Sequence, residues 1–162
     1  MKKMTTRIVI HPSEGIQKEF VAKVQSWVKE VLEKKGPLTA PTFISINIWR
    51  RMDELHSFYQ QEKQELGIVT GEETDFLATH EAWRGHPRIH ICQERVEDLP
   101  DVVLQSVLHH EISHALHHGT PEFYTFRYSI KLQEAGRFCG LDLALLQQCV
   151  YMLSVAIKDY DV

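Results

Sequence analysis

At 162 residues, the chain is long enough to bury most of one core within one domain spanning residues 1–162. A hydrophobic share of 43% beside 25% charged residues is that of a globular fold, and a formal net charge of −4 excludes the basic field that nucleic-acid backbones demand. No apolar run approaches the ~18 residues of a membrane span, and Cys92, Cys139 and Cys149, lacking C-x-x-C spacing, fit a reducing, cytoplasmic setting better than a disulfide framework or a Cys-based zinc site.

Arg7 to His11 is a short β-prone piece closed by Pro12, after which Ser13 offers an N-cap and Glu14 a first-turn charge. Phe20, Val24, Trp27, Val28, Val31 and Leu32 recur at spacings of three and four, predicting an amphipathic helix that stops at Gly36-Pro37. Thr42 to Trp49 alternates with period two, Ile44, Ile46 and Ile48 on one face and Phe43 and Trp49 on the other, and predicts a strand. Arg51 to Leu66 predicts a second helix with Met52, Leu55 and Tyr59 on its stripe and Gly67 as its stop. The acidic Gly71–Asp75 stretch reads as a solvated turn. Phe76–Trp83 and Arg88–Gln93 flank Arg84-Gly85-His86-Pro87 and predict a hairpin. No spacing among His80, His86 and His90 forces them together, so they read as surface or hairpin residues.

A helix follows with Asp101 as its N-cap, Val103, Leu104, Val107, Leu108, Ile112 and Ala115 as its buried stripe, and Gly119 as its end. Within it stands His110-Glu111-Ile112-Ser113-His114, an H-E-x-x-H pattern. Residues four apart lie one turn above each other on a helix, so both imidazoles can address one metal ion. Glu111 sits about 100° round from His110, where its carboxylate can take a proton from water beside the metal. His109 and His117 point away from the pair. Thr120-Pro121-Glu122 restarts a helix predicted to run through Phe126, Ile130 and Leu132 to Phe138, where Gly140 breaks it. Asp142 opens a last helix carrying Leu143, Leu146, Val150, Leu153 and Ile157 at helical spacing.

Val107 and Leu108 before the motif, Ile112 and Ser113 within it, and Ala115 and Leu116 after it make the stretch resemble the zincin metallopeptidases, whose extended signature is uncharged at these places. The order helix, strand, helix, hairpin, motif helix, further helices is similar to the zincin plan over roughly residues 8–140. The resemblance implies an α+β fold in which a small mixed sheet packs with a central H-E-x-x-H helix followed by C-terminal helices. It further implies a zinc ion held by His110, His114 and a third ligand. Glu134, with Ala135 and Phe138 after it, resembles the Glu-Ala-x-x-Phe of gluzincin-type peptidases that act on phage-immunity and stress repressors, which makes Glu134 the expected ligand. His118, Glu122, Asp159 and Asp161 remain alternatives. The metzincin spacing and that of a metal-dependent ribonuclease both fail at Thr120, where each needs a histidine.

The implied activity is hydrolysis of peptide or protein substrates, with Glu111 as general base. The strand at Arg88–Gln93 is expected to offer an open edge to an extended peptide. Tyr124, Tyr128, Arg127 or a histidine are candidates to stabilise the oxyanion. Two rival readings stand beside it: a zincin-like module that binds metal without hydrolysis, and a helical interaction protein whose histidines bind nothing.

Overall fold

Two isoleucine-rich strands with period-two patterning form the middle of the sheet. The computed structural model describes residues 6–35, 43–68, 76–124 and 128–160. Gly36-Pro37, Thr42, the Gly71–Asp75 turn, Phe126, Arg127 and Asp161 lie outside those residues. Strand β1 (Arg7–Pro12) leads through helix α1 (Lys18–Lys35) to β2 (Phe43–Trp49), then helix α2 (Met52–Leu66), β3 (Ala78–Glu81), β4 (Arg88–Cys92) and a short helix α3 (Gln93–Val96). Helix α4 (Asp101–His117), a 3-10 turn at Pro121–Tyr124, and helices α5 (Ile130–Phe138) and α6 (Leu143–Tyr160) complete the α+β fold. The sheet order is β1-β2-β4-β3, with β1, β2 and β4 parallel and β3 antiparallel to β4. The hairpin expectation holds. The expectation that Arg88–Gln93 is an open edge does not: β4 is flanked by β2 and β3, and the edge strands among the described residues are β1 and β3.

Alternation sorts the side chains into two layers. Ile44, Ile46, Ile48, Ile89 and Ile91 face one way, where Val24, Val28 and Val31 of α1 and Leu104, Leu108, Ile112 and Ala115 of α4 pack on them. On the other face Trp49 and His90 meet Phe58 and Tyr59 of α2, with ring centroids 4.9–6.1 Å apart. This second face also buries charge. Arg88 is 7% exposed and bonds Glu62 of α2 at 2.7 Å through one Nη, a second Nη–Glu62 contact and an Nε–Glu81 contact completing the clamp. The Trp49 indole donates to His90 Nδ1 at 3.1 Å, which leaves His90 Nε2–H to donate to Glu81 at 3.2 Å and fixes the tautomer of a fully buried ring.

Local signals elsewhere were partly overruled. Ser13 does not cap α1, because its hydroxyl accepts from the Arg50 N–H at 3.0 Å and donates to Glu54 at 3.2 Å, pinning the start of α2 instead. Val103 is 36% exposed, outside the α4 stripe, and Asp101 is the first residue of α4 rather than its cap and pairs with Lys23 at 2.9 Å. The helix expected from Thr120 to Phe138 is broken: α5 begins at Ile130, capped by Ser129, whose side chain accepts from Leu132 N. Gly140 at φ +74° turns the chain into α6, where Asp142 accepts from Leu145 N at 2.8 Å. In α6 only Leu146 is buried, against Gly136 of α5. No single helix among the described residues is long and apolar enough to cross a membrane.

Removing Arg88 takes the one guanidinium shared by two buried carboxylates out of the clamp, whereas Arg84, whose side chain is 41% exposed, meets buried Glu62 from the solvent side and pairs with the half-exposed Glu65. Arg88→Met is therefore expected to cost about 3–5 kcal/mol in denaturant unfolding and Arg84→Met about 0–1 kcal/mol. Equal costs for the two variants would contradict the clamp.

Candidate metal centre

Packing the Leu104–Leu108–Ile112–Ala115 stripe against the sheet carries the next positions round the helix, Glu111 and His114, into the same seam; both are buried. His110 lies one turn before His114, at the rim, with a side chain 46% exposed. Its Nε2 is 2.9 Å from His114 Nε2. Asp159, near the end of α6, brings its Oδ1 to 3.0 Å from His114 Nε2 and 3.9 Å from His110 Nε2. One ligand atom from each of His110, His114 and Asp159 thus falls within 4.8 Å of the others.

These separations bracket the distance of about 3.3 Å between neighbouring ligand atoms of a tetrahedral ion with bonds of about 2.0–2.1 Å. The donor set, two imidazoles and a carboxylate, suits a borderline divalent cation with an open position. Burial supplies the needed protonation state: His114 is pushed down to about 3, with His80 and His110 adding to the effect, so its ring stays neutral and free to bind. Its other nitrogen, Nδ1, faces His118 Nδ1 at 3.4 Å. With Nε2 given to an ion, His114 donates its Nδ1–H to His118, the outer partner that orients a metal-binding imidazole. His118 is held there because α4 ends at His117 and the His118 N–H closes on His114 O at 2.6 Å. The exit depends on Gly119, where a Cβ would lie 2.1 Å from the Ala115 carbonyl oxygen.

The sequence-derived candidates separate clearly. His110, Glu111 and His114 come together. Glu134 is exposed on α5 and belongs to no such group among the described residues, and Glu122 is exposed in the 3-10 turn. His118 stands behind His114 rather than beside the shared point. His109 is half-buried on α4, His117 is exposed, and His86 packs on Phe43 in the hairpin.

Sequence reasoning missed His80. Its ring stacks on that of His114, centroids 4.5 Å apart, and its Nδ1 lies 3.2 Å from Glu111 Oε2. The signal was present in the hairpin register, which pairs His80 with Ile89 and Ala78 with Ile91, placing both on the α4 face. Burial presses His80 down to about 3, so it meets Glu111 as a neutral ring. Lys158 and Tyr124 were also unforeseen as a pair, the ammonium 4.5 Å from the phenol centroid. Two buried polar atoms in this wall, His80 Nε2 and Tyr124 Oη, have no hydrogen-bond partner among the described residues. The cleft holding all of these has a volume of about 1090 Å³.

No family model, no curated protein and no solved structure matches this chain.

Desolvation pushes the Glu111 carboxyl up to about 7 from its ordinary 4.5, Asp159 reinforcing and His110 opposing the shift. Between those two values the folded chain keeps a proton that the unfolded chain has released, so stability falls as pH rises through this window and levels off above it. In chelator-treated protein, Glu111→Gln should match the parent near pH 4.5 and exceed its unfolding free energy by up to about 3 kcal/mol above pH 7. A pH-independent difference between the two would refute the buried-carboxylate account.

Proposed function

We propose that the chain is a zinc-dependent peptidase whose ion is held by His110, His114 and Asp159, with Asp159 in the place that the family resemblance gave to Glu134. The observation that carries this reading is the meeting of three ligand atoms directly beside the buried Glu111 carboxylate. The ion would supply a Lewis acid that polarises the scissile carbonyl and acidifies water.

The protein's own groups then have separable tasks. Glu111, buried beside the ion's position, takes the proton of the attacking water and delivers it to the leaving amine, so that it ends each cycle as it began. His80 donates Nδ1–H to the ionised Glu111 and holds the carboxylate in one orientation. Tyr124 keeps its phenolic proton, since burial raises its pKa, and its unpartnered Oη is a hydrogen-bond donor for negative charge growing on the carbonyl oxygen. The edge strand β3 can hold an extended peptide by backbone pairing, a role supported by its place at one edge of the described sheet, where it lines the cleft.

Metal analysis and a fluorogenic peptide library test the reading together. Protein purified without added metal should hold one zinc per chain. Asp159→Ala should weaken zinc binding by about a hundredfold or more, His118→Ala by about 10–100-fold, and Glu134→Ala negligibly. Glu111→Gln should keep the zinc and lose cleavage. Zinc that survives Asp159→Ala but not Glu134→Ala would reverse the ligand assignment, and retained zinc with no cleaved peptide would favour a metal-binding module.

A further inference from the structure

The cleft extends past the metal centre, around the edge of β3, and reaches the layer on the opposite side of the sheet. Its lining there comes from Tyr59 and Leu66 of α2, Ile68, and Trp83 just after β3. The Tyr59 and Trp83 rings lie 5.6 Å apart and tilted, while Leu66 is 37% exposed at the rim. This is an aromatic and aliphatic wall beside an edge of β3 that pairs with no strand among the described residues, and the chemistry attributed to His110, Glu111 and His114 makes no use of it.

From this arrangement we infer a side-chain subsite that selects a large apolar residue of an extended peptide laid along β3, a proposal that rests on the peptidase reading above. The alternation of the strand supplies the logic. Ala78 and His80 point to the α4 face, towards the metal centre, and Thr79 and Glu81 point to the α2 face. A peptide strand paired to the β3 edge inherits the same alternation. When one of its residues sits opposite His80, its neighbours on either side project over the α2 face, against Tyr59, Leu66, Ile68 and Trp83. Peptide side chains next to the residue at the metal centre therefore meet this wall.

The carboxylates described on that side are already bonded. Glu81 accepts from Arg88, from His90 at 3.2 Å and from the Trp83 N–H at 2.8 Å. Glu62 is bonded by Arg88 at 2.7 Å and Arg84 at 3.0 Å. The Lys63 ammonium lies over the Tyr59 and Trp83 rings at 5.8 and 6.0 Å. An apolar side chain would bury itself against the rings without stranding a polar partner, whereas a serine or glutamate would be desolvated there with little in return.

The test uses the full chain with zinc bound and carrying Glu111→Gln, so that binding is read without turnover. The probes are acetylated, amidated hexa-alanine peptides in which each position in turn becomes Phe, Leu, Ser or Glu, followed by calorimetry. At one position, or at two separated by one residue, Phe and Leu should bind about tenfold tighter than Ser or Glu. Trp83→Ala should reduce that preference to within about twofold, and Leu66→Glu, at the exposed rim, should do the same, both with zinc content unchanged. A preference that survives both substitutions, or a Glu peptide bound best through Lys63, would overturn the subsite. The two proposals fail separately: peptides bound without side-chain preference by a zinc-loaded, cleaving parent sink the subsite alone. Absent zinc and absent cleavage, with the Phe preference intact and sensitive to Trp83, sink the peptidase reading alone.

Discussion

Seating the Leu104–Leu108–Ile112–Ala115 stripe of α4 on the isoleucine face of the sheet is the constraint from which the centre follows. Apolar area leaves water, and the two polar residues beside the stripe go with it. A carboxylate and an imidazole on the same helix turn are stripped of solvent by forces that have no stake in chemistry. The result is a glutamate that holds its proton to near neutrality and a histidine that refuses one well below it. Both shifts follow from the same packing, so a substitution that loosens the seam, at Leu108 for example, would relax the two together.

The opposite face of the sheet solves a different problem. β3 is one short strand with two allegiances: His80 goes to the metal side and Glu81 to the charged layer. The clamp of Arg88 between Glu62 and Glu81 is costly to desolvate but geometrically demanding, and such buried pairs specify arrangement more than they add stability. Here the arrangement specified is the register of β3 on β4. A slip by one residue would exchange His80 and Glu81 between faces, losing the clamp and the contact with Glu111 in one step.

Much of this was legible from periodicity alone. The isoleucines of β2, the valine stripe of α1, the hairpin and the motif helix all announce themselves within a few residues, because each buries one face against a layer. What stayed hidden depends on partners distant in sequence. Ser13 looks like a helix cap until Arg50 and Glu54 claim its hydroxyl. His80 looks like a hairpin residue until the register assigns its face. Asp159 could be named only as one of several residues able to fold back, since no local pattern records that α6 returns over α4. Glu134 drew attention through a resemblance of a few residues, while the break before Ile130 sets the direction of α5 and leaves that side chain in solvent.

The sparse packing of α6 bears on how the centre is assembled. His110 and His114 are built into the core layer, but Asp159 rides on a helix whose one buried residue, Leu146, rests on Gly136. Leu153, Ile157 and Tyr160 of the same helix are 62%, 53% and 90% exposed, so little apolar burial clamps its far end. The carboxylate is thus carried on a lightly packed arm that rests on Gly136, and its presentation to the imidazoles depends on that arm being docked. Any ion bound between the three would fasten that arm. Occupancy of the centre and position of the last helix then become a single equilibrium, in which whatever engages the uncovered side of α6 also tunes the hold on the metal.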